Sequence, residues 1–316
     1  MVSLFGLDPA TYRSHPLHAA ERTYQETNCY TDLLIELLHA RGDEPLACLG
    51  SIVRMDFEGD QWTFFKPPPE DLERLFGVDI HEMQPYRSMP DQIAELLADG
   101  RSLTVELDAW HLPDTASSSY RTEHVKTGVA AEAIDLLGQR LRYFHNTSLH
   151  ELSGEDYRGV FRVDHADDEI LPPYTELIRF DAGPRLEGAA LRAASREILR
   201  HHLDRVHAGN PFDRFGVRLS RDLPDLLAGD VARFHAYAFA TVRMAGAGFE
   251  LCASHVGWLL GDEGGRAVTA MSEIVEGSKL LGFKLARRRP FDAEAAIDAL
   301  SEAWDVALGA LDDAVR

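Results

Sequence analysis

The sequence predicts an α+β chain in which an N-terminal helix packs on a small antiparallel sheet and a mostly helical region follows. Between Tyr30 and Arg41 the apolar residues Leu33, Leu34, Leu37 and Leu38 recur at helical spacing, and Gly42 closes the run. Ser102–Asp108 alternates Leu103, Val105 and Leu107 with polar partners. His124–Ala131 and Leu141–His145 repeat that strand character, with a turn around Gly138 between them. After about Asp164 most of Leu186–His207, Leu223–Val242, Gly264–Arg287 and Asp292–Val315 is helix-forming sequence. The expected division is one domain over residues 1–165 and a helical domain over residues 166–316, with Pro172-Pro173 and Gly183-Pro184 at the junction. Trp62–Lys66 reads as extended and is ended by Pro67-Pro68-Pro69, after which Glu70–Phe76 and Pro90–Ala98 read as helices.

At 316 residues the chain exceeds one core of average size. Lys and Arg number 32 against 52 Asp and Glu, a net charge of −20 that repels polyphosphate. It argues against nucleic acid or an anionic membrane surface as partner. No stretch approaches a membrane span and no leader pattern opens the chain, so a cytoplasmic location is expected. The three cysteines, Cys29, Cys48 and Cys252, are widely spaced, which suits a reducing compartment and fits no Cys-type zinc site.

Cys29 stands at the expected start of the first helix, after Gln25-Glu26-Thr27-Asn28. Unpaired amides and the dipole at a helix N-terminus favour a thiolate, so Cys29 is a candidate nucleophile; the plainer reading is a small buried residue. Cys48 and Cys252 lie in apolar sequence and read as structural. A cysteine nucleophile needs an imidazole base and a group that orients it. His124 opens one strand and Asn146 closes the next, with His145 as a competing orienting group. Helix cysteine, strand histidine and strand-end asparagine follow the order of papain-like enzymes. An oxyanion donor is expected from Gln25, with Asn28 or a backbone amide as alternatives. Asp108 and His111, at a strand end just before Pro113, are candidates to line the site, with capping or turn roles as the alternative.

Several segments together carry a family resemblance: Thr27 to Asp32, Asp56 to Lys66, Leu112-Pro113-Asp114-Thr115, Tyr120 to Thr127, Tyr143 to Asn146 and Leu152 to Asp156. Over most of its length the chain resembles a bacterial family of unknown-function domains encoded near stand-alone amino acid:carrier protein ligases. More distantly, Asp108, Leu112-Pro113, His124 and the strand ending at Asn146 are similar to the butirosin-type papain-like acyltransferase, where an aspartate usually stands in place of Asn146. The resemblance implies an aminoacyl transferase. Cys29 would take an aminoacyl group from the phosphopantetheine thioester of a carrier protein and pass it to a small-molecule or peptide acceptor, an amine or a hydroxyl. It implies no cofactor beyond the phosphopantetheine of the carrier, and no metal. A cysteine thioesterase or peptidase with the same triad, and a noncatalytic carrier-binding protein, are the alternatives.

Asp56 to Asp60 carries alternating carboxylates that read as an ammonium or cation site, or as a solvated turn. In the cluster from His201 to His207, His201, Asp204 and His207 drift around a helix and make a poor zinc set. Gly246-Ala247-Gly248 and Gly261 to Gly265 read as turns or close helix contacts. Lys284, Arg287, Arg288 and Arg289 form the one basic concentration, fitted either to dock an acidic carrier protein or to complement a helix C-terminus.

Overall fold

The computed structural model describes residues 1–164 and 171–316 and is α+β, with an antiparallel sheet and a helical C-terminal region. It divides into two compact units. The first comprises residues 1–20, 28–45 and 72–185; the second comprises 21–27, 46–71 and 186–316. The expected boundary at 165/166 lies outside the described residues. The division falls between Arg185 and Leu186, just after Gly183-Pro184, and two short N-terminal segments join the helical unit.

The first unit is built on helix α1, Cys29–Arg41. Asn28 caps it by accepting a hydrogen bond from the Thr31 amide at 2.9 Å, and Gly42 ends it at φ 83°, donating to the His39 and Leu38 carbonyls. Leu33, Leu34, Ile35, Leu37 and Leu38 are all buried, but so are Asp32 and Glu36. These carboxylates are met by polar groups of the N-terminal segment. The Tyr12 hydroxyl donates to Glu36 at 2.6 Å, and His18 places Nδ1 2.5 Å from Glu36 and Nε2 3.5 Å from Asp32.

The sheet contains β1 (Val2–Ser3), β4 (Asp79–Met83), β5 (Ser102–Asp108), β6 (Lys126–Asp135), β7 (Arg140–His145), β8 (Ser148–Ser153) and β9 (Thr175–Arg179). All pairings are antiparallel, in the order β4-β9-β5-β6-β7-β8, and β1 pairs with the far end of β6. Side chains alternate between its faces. A Cβ added to Gly128 would meet Leu33 of α1 at 3.8 Å, so Lys126, Gly128 and Ala130 face α1. Thr127, Val129 and Ala131 face the other way. There Val129 and Ala131 join Leu103, Val105, Leu107 and Tyr143 in a core completed by Ile93 and Leu97 of α3, Met89–Ala98. A bulge between Ala131 and Ala133 turns buried Glu132 toward the N-terminal segment, where it accepts from the amides of Phe5 and Leu7. Gly77, at φ 64°, lies so close to the Gly183 carbonyl that a side chain there would collide with backbone.

The sequence anticipated β5 and β7 well and placed the start of β6 two residues early. It did not anticipate β4, β8 or β9, whose Asp79-Ile80-His81-Glu82-Met83, Ser148 to Ser153 and Thr175-Glu176-Leu177-Ile178-Arg179 lack clean alternation. Of the expected Trp62–Lys66 strand only Trp62 pairs, in the hairpin of β2 (Phe57–Glu58) and β3 (Gln61–Trp62). Helix α2 (Pro69–Phe76) follows, and α4 (Glu155–Val160) comes after β8.

The second unit carries α5 (Gly188–Leu203), α6 (Pro211–Ala228), α7 (Val231–Ala238), α8 (Met244–Leu260), α9 (Gly265–Ala286) and α10 (Ala293–Val315), with a π-helical turn at Phe239–Arg243. Phe57, Trp62, Phe212, Phe215 and Phe249 form an aromatic cluster with neighbouring centroids 4.8–6.2 Å apart. The stretch Leu223–Val242, expected to be mostly helix, is helical with a break at Gly229, after which Asp230 caps α7 through the Arg233 amide. Gly246 and Gly248 sit inside α8 as close-contact positions, since side chains there would strike Tyr24 and Met55.

Candidate active site

At the C-terminal end of β5 the chain turns through Ala109–His111, a short 3-10 segment capped by Asp108. One Asp108 oxygen accepts from the Trp110 amide at 3.1 Å. The other lies 2.6 Å from Nδ1 of His124, just before β6. The indole of Trp110 stacks on the imidazole with centroids 4.6 Å apart and planes 10° apart. Carboxylate and indole therefore fix the ring in position and angle. With Nδ1 on the carboxylate, Nε2 has no hydrogen-bond partner among the described residues, and the side chain is 70% exposed. A carboxylate-oriented imidazole with an open Nε2 can accept and return a proton.

Asp108 pairs with Lys126 and so belongs to the sheet face on which α1 packs, while His124, just before β6, reaches its carboxylate from outside the strand. Tyr30 hydrogen-bonds Glu176 of β9, Leu33 lies over Gly128 of β6, and Tyr12, bonded to Glu36, packs edge-on against Phe144 of β7. Helix α1 thus crosses the strands with its N-terminus toward β5 and β9. Cys29 is its first residue and is half-buried. Among the described residues no hydrogen bond joins its thiol to His124. A cleft of about 980 Å³ opens beside Asp108, His111 and His124; Cys29 is not part of its described wall.

Asn146 stands apart from this group. It occupies the two-residue turn between β7 and β8 at φ 47°, and no hydrogen bond connects it to His124 among the described residues. It follows the last residue of β7 and lies outside the paired residues of β6 and β7. The orienting partner of His124 is Asp108. His145 is on the opposite sheet face from α1, where Nδ1 lies 2.5 Å from Asp114 and Nε2 2.8 Å from the Thr127 hydroxyl. The Tyr143 hydroxyl donates to the second Asp114 oxygen at 2.5 Å.

Asn28 is buried and its amide oxygen serves as the helix cap. Gln25 is exposed, in a segment of the second unit whose neighbours Glu26 and Thr27 accept from Arg243. The ring of His111 packs on Gly159, and burial together with the Arg121 charge lowers its pKa. Asp56 pairs with Arg214 and its carboxylate also accepts from the Phe57 amide, whereas Glu58 and Asp60 are exposed. His202 hydrogen-bonds Asp71 at 2.7 Å in the second unit, and among the described residues no group of three or more His, Cys, Asp or Glu is arranged to hold a metal. Cys48 and Cys252 are buried, and burial pushes the Cys252 thiol up to about 12. Arg288 donates to the Gly229 carbonyl; Lys284 lies over the Phe291 ring at 5.7 Å; Arg287 and Arg289 are exposed at the end of α9. No helix among the described residues is long and apolar enough to cross a membrane.

Sequence reasoning missed Trp110 and the hydrogen bond between Asp108 and His124. The signal was present in Asp108-Ala109-Trp110, a carboxylate at a strand end with an aromatic two residues on, but only the β5–β6 register brings it to His124.

Residues 13–180 match the DUF1839 N-terminal domain and residues 188–313 the DUF1839 C-terminal domain, so the chain belongs to this family of unknown-function domains. No curated protein matches it.

Proposed function

We propose that this chain is a cysteine acyltransferase of papain-like type, with Cys29 as nucleophile, His124 as base and Asp108 as the group that orients the base. The observation that carries the reading is the His124–Asp108 pair, an exposed imidazole whose Nδ1 lies on the carboxylate and whose Nε2 has no hydrogen-bond partner among the described residues. His124 Nε2 takes the thiol proton as Cys29 Sγ attacks a thioester carbonyl. Collapse of the tetrahedral intermediate expels the leaving thiolate, which regains that proton from His124. An acceptor amine then attacks the acyl-enzyme, His124 removes its proton, and the proton returns to Sγ as the acyl group departs. A thioester is already activated, so the protein supplies mainly positioning and oxyanion stabilisation.

The substrate implied by the family resemblance is an aminoacyl group on a carrier-protein phosphopantetheine. Exposed Arg287 and Arg289, with Lys284, offer an acidic carrier a cationic landing surface. Arg288 is committed to a backbone carbonyl and contributes less. Hydrolysis is the second reading, favoured by the 70% exposure of His124, which leaves water free to reach the acyl-enzyme.

Intact-protein mass spectrometry after mixing with an aminoacylated carrier protein tests the proposal. A covalent adduct should form on the wild type, be absent from Cys29→Ala, form slowly on His124→Ala, and disappear on adding an acceptor amine. Loss of the adduct in buffer alone would mark a hydrolase. A carrier that stays loaded, with no adduct under rapid quenching, would sink the covalent mechanism and favour a binding role.

A further inference from the structure

The second unit contains a cleft of about 280 Å³ that the proposed acyl-transfer chemistry does not use. Its walls come from α6, from α7 and the π-helical turn after it, and from the β2–β3 hairpin. The backbone is irregular on two sides. Pro224 removes a hydrogen bond inside α6, and the ladder widens to π-type at Phe239–Arg243, a distortion that recurs at functional sites.

The lining is chemically mixed. Arg218 gives Nε to Asp222 at 2.5 Å, while its two terminal amino groups have no hydrogen-bond partner among the described residues. Tyr237 also lines the cleft. Its phenol oxygen is out of contact with solvent and without a hydrogen-bond partner among the described residues, and burial, then the Asp222 charge, raises its pKa. A buried hydroxyl without a partner is costly. Asp60, on the hairpin, is exposed and has no ion-pair partner among the described residues. Leu226 and Ala240 supply apolar wall.

We propose that this cleft binds the zwitterionic backbone of a small apolar α-amino acid. The ligand carboxylate is held by the free guanidinium edge of Arg218. Its ammonium is held by Asp60 and the second oxygen of Asp222, and its side chain lies against Leu226 and Ala240. A cation-only ligand leaves the terminal amino groups of Arg218 without a partner, and an anion-only ligand leaves Asp60 without one. A zwitterion satisfies both. The cleft volume suits a ligand of few heavy atoms.

Isothermal titration of the full chain with L-alanine tests this, with acetate and ethylamine as probes carrying one charge each. Saturable binding of alanine is expected, with each single-charge probe weaker by roughly tenfold or more. Arg218→Gln and Asp60→Asn should each weaken alanine by roughly tenfold. The proposal is overturned by absence of saturable alanine binding at about 10 mM, by acetate binding as tightly as alanine, or by unchanged affinity in both Arg218→Gln and Asp60→Asn. Because Asp60 is exposed, its variant keeps the test valid even where Arg218→Gln disturbs folding. Cys29→Ala should bind alanine as the wild type does, so this result stands apart from the fate of the acyl-transfer reading.

Discussion

The first unit contains two histidine–aspartate pairs of nearly equal length and opposite character. His124 meets Asp108 at 2.6 Å and His145 meets Asp114 at 2.5 Å, each through Nδ1. Around His145 each polar atom is occupied: Thr127 is on Nε2 and Tyr143 on the second Asp114 oxygen, with His145 and Asp114 only 2% and 6% exposed. Burial alone would raise the Asp114 carboxyl, yet the hydrogen bond and charge of His145 hold it below the ordinary carboxylate range. Around His124 the carboxylate and a stacked indole fix the ring while Nε2 stays open. The same pair of residue types therefore makes architecture when the second nitrogen is spent, and leaves an imidazole able to exchange a proton when it is not.

The comparison is broken most directly by removing the two imidazoles in turn. His124→Ala should slow acylation of Cys29 by about 10³- to 10⁴-fold. Being exposed, the substitution should shift stability by no more than about 0.5 kcal/mol. His145→Ala should do the reverse, lowering the unfolding midpoint while the acylation rate per folded molecule holds. Equal rate losses in both variants would erase the distinction.

The carboxylates sharpen it. Asp114→Ala leaves His145 and Tyr143 buried without their partner and should cost about 3–5 kcal/mol in urea unfolding. Asp108→Ala removes a half-exposed carboxylate; it should move stability little and reduce acylation by about 10²-fold or more.

Why the sequence revealed one half of this arrangement and hid the other is a matter of periodicity and register. Helix α1 was legible because Leu33, Leu34, Leu37 and Leu38 lie between a capping Asn28 and a left-handed Gly42, all local signals. Strands β5 and β7 were legible from apolar residues at regular spacing. Strand β9 was not, since Glu176 is buried within it and becomes acceptable through the hydroxyls of Tyr30, Thr104 and Tyr174, which lie elsewhere in the sequence or on the strand's flank. Within the candidate site, His124 could be chosen from its place at a strand start. Its partner could not, because pairing Asp108 with Lys126 rather than a neighbour decides which carboxylate reaches the ring. The affiliation of residues 21–27 and 46–71 with the helical unit is likewise a tertiary fact with no local signature.

A third histidine extends the comparison to a buried charge. Burial works against protonation of His18, but hydrogen bonds to Asp32 and Glu36 and their negative charges carry its pKa up to about 9. A folded value above the unfolded one near 6.5 means that the stabilisation is complete below the unfolded value. It declines as pH rises and is lost once the folded value is passed. Urea unfolding at about pH 6 and about pH 9.5 should show wild type losing more stability than His18→Gln over that interval. Parallel loss in both proteins would locate the titration elsewhere.

The smallest expected effect separates the two candidate partners of His124. Asn146 holds φ 47° in the β7–β8 turn, a conformation that glycine adopts freely and alanine adopts at a cost. Asn146→Gly should leave stability within about 0.5 kcal/mol of wild type, and Asn146→Ala should cost about 1 kcal/mol. Neither should change acylation per folded molecule, since the side chain has no contact with the His124 ring to lose. If both variants instead lose activity to the extent that Asp108→Ala does, then Asn146 reaches the imidazole during turnover, and Asp108 serves as the cap of the turn that carries Trp110. Unchanged activity in the asparagine variants beside a large loss in Asp108→Ala assigns orientation of the base to the β5 carboxylate and leaves Asn146 with the turn.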